Sequence, residues 1–90
     1  MVVDVRDPQE YASGHIPGAK LVPCTSVATA LPSWDRRAEI VVVCRSGTRS
    51  APIAEALASG FHRVMNLAGG MLAYAQQQLP IERAPSRGRP

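Results

Sequence analysis

The run Cys44-Arg45-Ser46-Gly47-Thr48-Arg49 sets a cysteine between two arginines in a glycine turn, the residue types needed for nucleophilic chemistry on an anionic substrate. A free cysteine ionises near about pH 8.5, and a helix N-terminus or nearby arginine lowers that value to roughly 3.5–7.5. Ser46 and Gly47 are small enough for the chain to curl, and Gly47 can take positive φ. Several backbone N–H groups can then turn toward one point and form an anion nest. Cys44 is therefore expected to be largely ionised at neutral pH. Arg45 and Arg49 suit an oxyanion because a planar guanidinium bonds two oxygens at once. Two plainer readings stand beside these. A free cysteine packs well as a small hydrophobe at a strand end, and an arginine beside a helix start can be an ordinary solvated charge.

The elements that must position this loop are legible around it. Ile40-Val41-Val42-Val43 has no polar alternation, which predicts a strand buried on both faces of a parallel sheet and ending at Cys44. Ser50 reads as an N-cap, Pro52 as a first-turn residue and Gly60 as the stop of a helix over 51–58, whose positive dipole end would face the loop. Upstream, Val2-Val3-Asp4-Val5 reads as a short buried strand, and Asp7-Pro8-Gln9-Glu10 as the capped start of a short helix that Gly14 ends. Lys20-Leu21-Val22 and Val64-Met65-Asn66 supply two further strands, for four in all. Residues 25–31 fit a short helix closed by Pro32, and Trp34 is expected to pack rather than bind. Gly69 and Gly70 allow close backbone approach near the loop, followed by an apolar stripe of Met71, Leu72 and Ala75.

Other titratable residues are assigned structural parts. Asp4 and Arg6 are expected to tie loops together; an orienting contact from Asp4 to Arg45 or Arg49 is the less favoured alternative. His15 is expected to satisfy loop backbone, and His62 lies past the helix stop, so neither histidine is paired with Cys44. Cys24, after Pro23, is expected to be buried and inert, with a resolving thiol for Cys44 as the alternative. Two cysteines make no disulfide framework, and the chemistry needs a free thiol, which predicts a reducing, cytoplasmic setting.

Four segments in order carry a family resemblance: Asp4-Val5-Arg6-Asp7-Pro8-Gln9-Glu10-Tyr11, Gly14-His15-Ile16-Pro17-Gly18-Ala19, Cys44 to Ala51, and Asn66-Leu67-Ala68-Gly69-Gly70-Met71. Together they resemble the rhodanese-domain proteins, the single-domain sulfurtransferases, over nearly all of residues 2–81. The resemblance implies an α/β, three-layer rhodanese-like fold with a mostly parallel central sheet. It implies that Cys44 carries a persulfide, taking sulfane sulfur from a donor such as thiosulfate and passing it to a thiophilic acceptor. Cys44 is then the catalytic residue, and Arg45, Ser46, Gly47, Thr48 and Arg49 form the substrate-binding cradle, with Asp4 and Arg6 as structural support. No metal or other cofactor is called for. Many relatives have tryptophan where Tyr74 stands, a departure that leaves packing intact. Relatives also carry a helix and strand ahead of the Asp4 motif, whereas this chain starts inside that strand, as a shortened domain or through a late start codon. The expectation is an uncovered sheet position, and an exposed strand edge invites pairing with a second copy, so a homodimer is predicted.

Ninety residues predict one domain over 1–81, burying only about 60–65% of the surface its unfolded chain exposes, and an Arg/Pro-rich disordered tail over 82–90. No apolar run approaches the roughly 20 residues of a membrane span, and no leader precedes the fold. The net charge of +3 comes almost wholly from arginine, with little aromatic interleaving, which disfavours nucleic acid and favours small anions. Three classes of function remain. A sulfurtransferase acting on a small anionic donor, with a thiol, cyanide-like or protein acceptor, is favoured. A persulfide carrier or redox module for a protein partner shares Cys44. A cysteine-dependent phosphatase or arsenate reductase is least favoured, because Cys44 and Arg49 have four intervening residues, not five, and no acid is evident to protonate a leaving alcohol.

Overall fold

The structure is a computed structural model that describes residues 1–83. Its sheet has four parallel strands, β1 (Val2–Asp4), β2 (Lys20–Leu21), β3 (Glu39–Val43) and β4 (Arg63–Asn66), in the order β2-β1-β3-β4. In register, Val3 faces Lys20 on one side and Val42 on the other, and Val41 faces Met65. Between the strands lie α1 (Pro8–Ser13), α2 (Val27–Ala30) and α3 (Ser50–Leu57), and α4 (Gly70–Gln76) follows β4. The architecture is α/β, as expected.

Alternation along the strands decides the core. Val3 and Val5 point to the same face as Ile40, Val42 and Cys44, and all five are essentially inaccessible to solvent. Onto that face pack Val27 and Ala30 from α2, and Ile53, Ala54 and Leu57 from α3. Right-handed crossovers, the rule for parallel connections, account for this side and send α1 to the opposite face, because the chain leaves β1 and β3 in opposite directions. The divergence opens a crevice beyond the carboxyl ends of β1 and β3, the place where open α/β sheets bind ligands. Cys44 is the first residue past β3 at that crevice.

Several local expectations are corrected. Residues 25–31 do not form one helix: a 3-10 turn (Cys24–Ser26), α2 and a second 3-10 turn (Leu31–Ser33) share the segment, which Pro23 and Pro32 bracket and no side chain caps. The apolar stripe on α4 is also narrower, since Met71 is buried while Leu72 is 48% exposed. Trp34 packs as expected, tilted against Phe61 at 6.1 Å between ring centroids. Glu82 remains tied to the domain, its backbone bridging that of His15 with both N–H···O distances at 2.8 Å. The rest of the expected tail, 84–90, lies outside the described residues.

Candidate active site

Cys44 is wholly buried beneath its own loop, and three donors converge on its sulfur. Gly47 N lies 3.1 Å from Sγ, Ser50 N 3.3 Å and Ser50 Oγ 3.2 Å. The loop can wrap so tightly because Gly47 sits at φ +91°, where a Cβ would meet Gly69 N at 3.1 Å and Leu67 O at 3.2 Å. Burial by itself pushes the thiol up. The Ser50 side-chain and backbone bonds, with those from Ser46 and Gly47 N–H, outweigh it and hold Cys44 below its ordinary value. The α3 N-terminus supplies the Ser50 N–H, so the dipole expected from the sequence acts through a direct bond.

Ser50 is not the N-cap expected from sequence. Arg49 occupies that position with no side-chain cap, and Ser50 is the first residue of α3, fully buried. Its hydroxyl turns inward instead, to Cys44 Sγ and to Asn66 Oδ1 at the end of β4. One hydroxyl proton cannot serve both acceptors at once, so Ser50 couples the cysteine to Asn66. Asn66 in turn donates from Nδ2 to Gly47 O at 3.1 Å, which fixes its amide orientation and pins the turn. Sequence reasoning missed both residues. The available signal was their position within the Cys44 and Asn66 motifs, but only folding brings them to one point.

The remaining loop residues divide by role. Arg45 is exposed, and its side chain has no hydrogen bond or ion pair among the described residues. Ser46 and Thr48 join their hydroxyls at the rim, 3.0 Å apart. Arg49 is not free: its Nη2 lies 3.2 and 3.3 Å from the two carboxylate oxygens of Glu10. The hydrogen bond to Glu10 keeps the guanidinium more firmly charged than usual. The back of the loop is held by α4, with Met71 N and Leu72 N each 2.9 Å from the carbonyls of Cys44 and Arg45. Gly70 makes that docking possible, because a Cβ there would collide with Cys44 O.

Asp4 and Arg6 do not reach Arg45 or Arg49. They form a buried bidentate pair, Nε–Oδ1 2.9 Å and Nη2–Oδ2 2.8 Å, and Arg6 also donates to Gly14 O at 2.8 Å. His15 meets backbone, but that of the α1 helix rather than of a loop, its Nδ1 2.8 Å from Tyr11 O while its ring stacks on Tyr11. Cys24 is exposed rather than buried, with Sγ 3.2 Å from Val5 O. It lines a crevice of about 230 Å³ with Val5, Arg6, Asp7, Pro23, Thr25 and Arg49. Among the described residues, no group of three or more His, Cys, Asp or Glu could hold a metal ion, and no helix is long and apolar enough to cross a membrane.

The chain is similar to known proteins in sequence and in fold. The Rhodanese-like domain family profile matches residues 1–77. A sulfurtransferase of Allochromatium vinosum is 38% identical over 82 residues, covering 90% of this chain and 77% of the relative. Thiosulfate sulfurtransferase GlpE of Pseudomonas entomophila is 44% identical over 71 residues, covering 78% of this chain and 65% of the relative. A crystal structure of a rhodanese-related protein from Thermoplasma volcanium superposes with a TM-score of 0.86 at 26% identity, over 92% of this chain and 83% of that one.

Proposed function

The chain belongs to the rhodanese-like domain family, and on that premise we propose that it is a sulfurtransferase whose Cys44 carries sulfane sulfur from thiosulfate or a similar anionic donor. The convergence of Gly47 N, Ser50 N and Ser50 Oγ on one buried sulfur carries this reading, because it stabilises a thiolate and would equally hold a persulfide. The Cys44 thiolate attacks the outer sulfur of thiosulfate. A new S–S bond forms, the original S–S bond breaks, and sulfite leaves with its electron pair. A thiolate or cyanide then attacks the outer sulfur of the persulfide, and Cys44 departs as thiolate. No net proton is needed in either step. We assign the meeting of the incoming anion to Arg45, whose exposed side chain has no ion pair among the described residues.

A second reading, a persulfide carrier fed by a protein partner, is favoured by the complete burial of Cys44, since a docking partner could supply the loop opening that a small donor must await. The phosphatase or arsenate reductase reading is disfavoured further, because Glu10 already engages the Arg49 guanidinium that would grip the oxyanion. The need for a free Cys44 thiol supports a cytoplasmic setting. Strand β4, at one edge of the sheet with Met65 39% exposed, supports a homodimer paired edge to edge. Light scattering giving twice the chain mass is the expected result, and a strict monomer at high concentration would remove that part of the proposal.

The deciding experiment is intact mass spectrometry of the protein and of Cys44→Ser after thiosulfate, then after cyanide. Gain of one sulfur atom by the native protein alone, lost to cyanide as thiocyanate, is expected. No gain while Cys44 remains alkylatable would shift the assignment to the carrier.

A further inference from the structure

Arg6 and Arg49 line the crevice beyond β1 and β3, Arg45 stands exposed in the Cys44 loop, and the first two of these guanidiniums are already paired. Arg6 is bound to Asp4, and Arg49 to Glu10. Of these three, only Arg45 has no ion pair among the described residues. The Arg49–Glu10 contact is not a chance meeting of two long side chains. Glu10 is held by a reciprocal capping box, accepting from Asp7 N at 3.3 Å while its own N–H donates to Asp7 Oδ1 at 2.8 Å. The pair joins α1 to the residue just before Ser50, which touches Cys44 Sγ through two atoms.

Resting on the sulfurtransferase reading, we propose that Glu10 is a specificity-determining residue. By cancelling the charge of Arg49 beside the Cys44 loop, it weakens the pull on doubly charged donors such as thiosulfate relative to singly charged or neutral persulfides. A mouth with two free guanidiniums would draw any dianion; with one neutralised, attraction falls with each unit of donor charge while a neutral donor is unaffected. Donor preference therefore follows charge before shape.

The test reads charge at the mouth without requiring turnover. Cys44 is alkylated by iodoacetate, an anion, and by iodoacetamide, its neutral analogue, and the rates are taken from the Cys44 peptide by mass spectrometry. The ratio of the two rates cancels both loop opening and thiolate fraction. Glu10→Gln keeps the capping acceptor, since Gln serves in a capping box as Glu does. It should raise the ratio about three- to tenfold at low ionic strength, with the gain shrinking in 0.5 M KCl. The double variant Glu10→Gln/Arg49→Gln removes a neutral pair and should return the ratio to within about twofold of the native value. Glu39→Gln, at the far end of β3, should leave it unchanged. With thiosulfate, Glu10→Gln should lower KM with kcat held. An unchanged or lowered ratio in Glu10→Gln overturns the proposal. A raised ratio in a protein that gains no sulfur from thiosulfate supports control by Glu10 while removing the thiosulfate reading.

Discussion

The two cysteines lie at the carboxyl ends of different strands in one sheet, yet their surroundings differ in almost every respect. Cys44 follows the central β3, is fully buried and accepts bonds from three donors. Cys24 follows the edge strand β2, is exposed and donates its own S–H toward Val5 O. One loop organises N–H groups around sulfur; the other offers sulfur a carbonyl. Donors around a sulfur favour its thiolate, so the surroundings of Cys44 activate it, while those of Cys24 offer a carbonyl acceptor instead.

The sharpest way to break this contrast is to exchange the residues' importance. Cys44→Ser should reduce sulfur transfer by about a thousandfold or more, the usual scale for removing a nucleophile, whereas Cys24→Ser should stay within about twofold. A comparable loss from both, measured as thiocyanate formation, would show that Cys24 takes part. Next in size is Gly70→Ala, which drives a Cβ into Cys44 O at a residue with φ +56°. Melting should report a loss of about 2–4 kcal/mol, combining backbone strain and overpacking, and Cys44 should react with altered rate. An unchanged melt would mean that α4 does not press on the loop.

Ser50→Ala removes one of the three donors and should raise the Cys44 pKa by about one unit, the scale of a hydrogen bond to a charged group. Alkylation against pH would show the thiolate plateau beginning later than in the native protein, and no shift would assign the hydroxyl wholly to Asn66. The lowered pKa also makes a stability prediction. Because the folded state holds the thiolate more tightly than the unfolded chain, Cys44 contributes stability that is fully present above the unfolded thiol value of about 8.5 and is lost as pH falls through the folded value. The stability of the native protein relative to Cys44→Ser should thus grow on going from neutral pH toward about 9. A flat difference across that window would mean the donors do not favour the thiolate. The smallest effect belongs to the rim: Ser46→Ala breaks an exposed hydroxyl pair and should alter sulfur transfer by less than about twofold, in keeping with other surface changes.

Much of this site was legible before folding because the signals were local. The continuous apolar run Ile40–Val43 marked a strand buried on both faces, and β3 lies between β1 and β4. Asp7 and Glu10 three residues apart marked a capping box, and both of its bonds are present. Ser50 was misread for the same local reason: a serine before an alanine-rich helix fits an N-cap, and nothing in its neighbours tells that its hydroxyl turns toward Cys44 instead. The contact from Asn66 crosses from β4 to the loop after β3, and the Glu10–Arg49 pair joins residues 39 positions apart, so neither had a sequence signal. Cys24 was misjudged because burial at an edge strand depends on what covers it.

By itself, the amino-acid sequence determined the residue chemistry and the local geometry. It set a cysteine in a glycine turn between arginines, the strand that delivers it and the helix that follows, since periodicity and turn propensity act over a few residues. Tertiary structure decided which groups reach the sulfur and which charges remain free. Those outcomes depend on the diverging crossovers from β1 and β3, which bring Glu10 to Arg49 and Asn66 to Ser50 across distances no local pattern encodes.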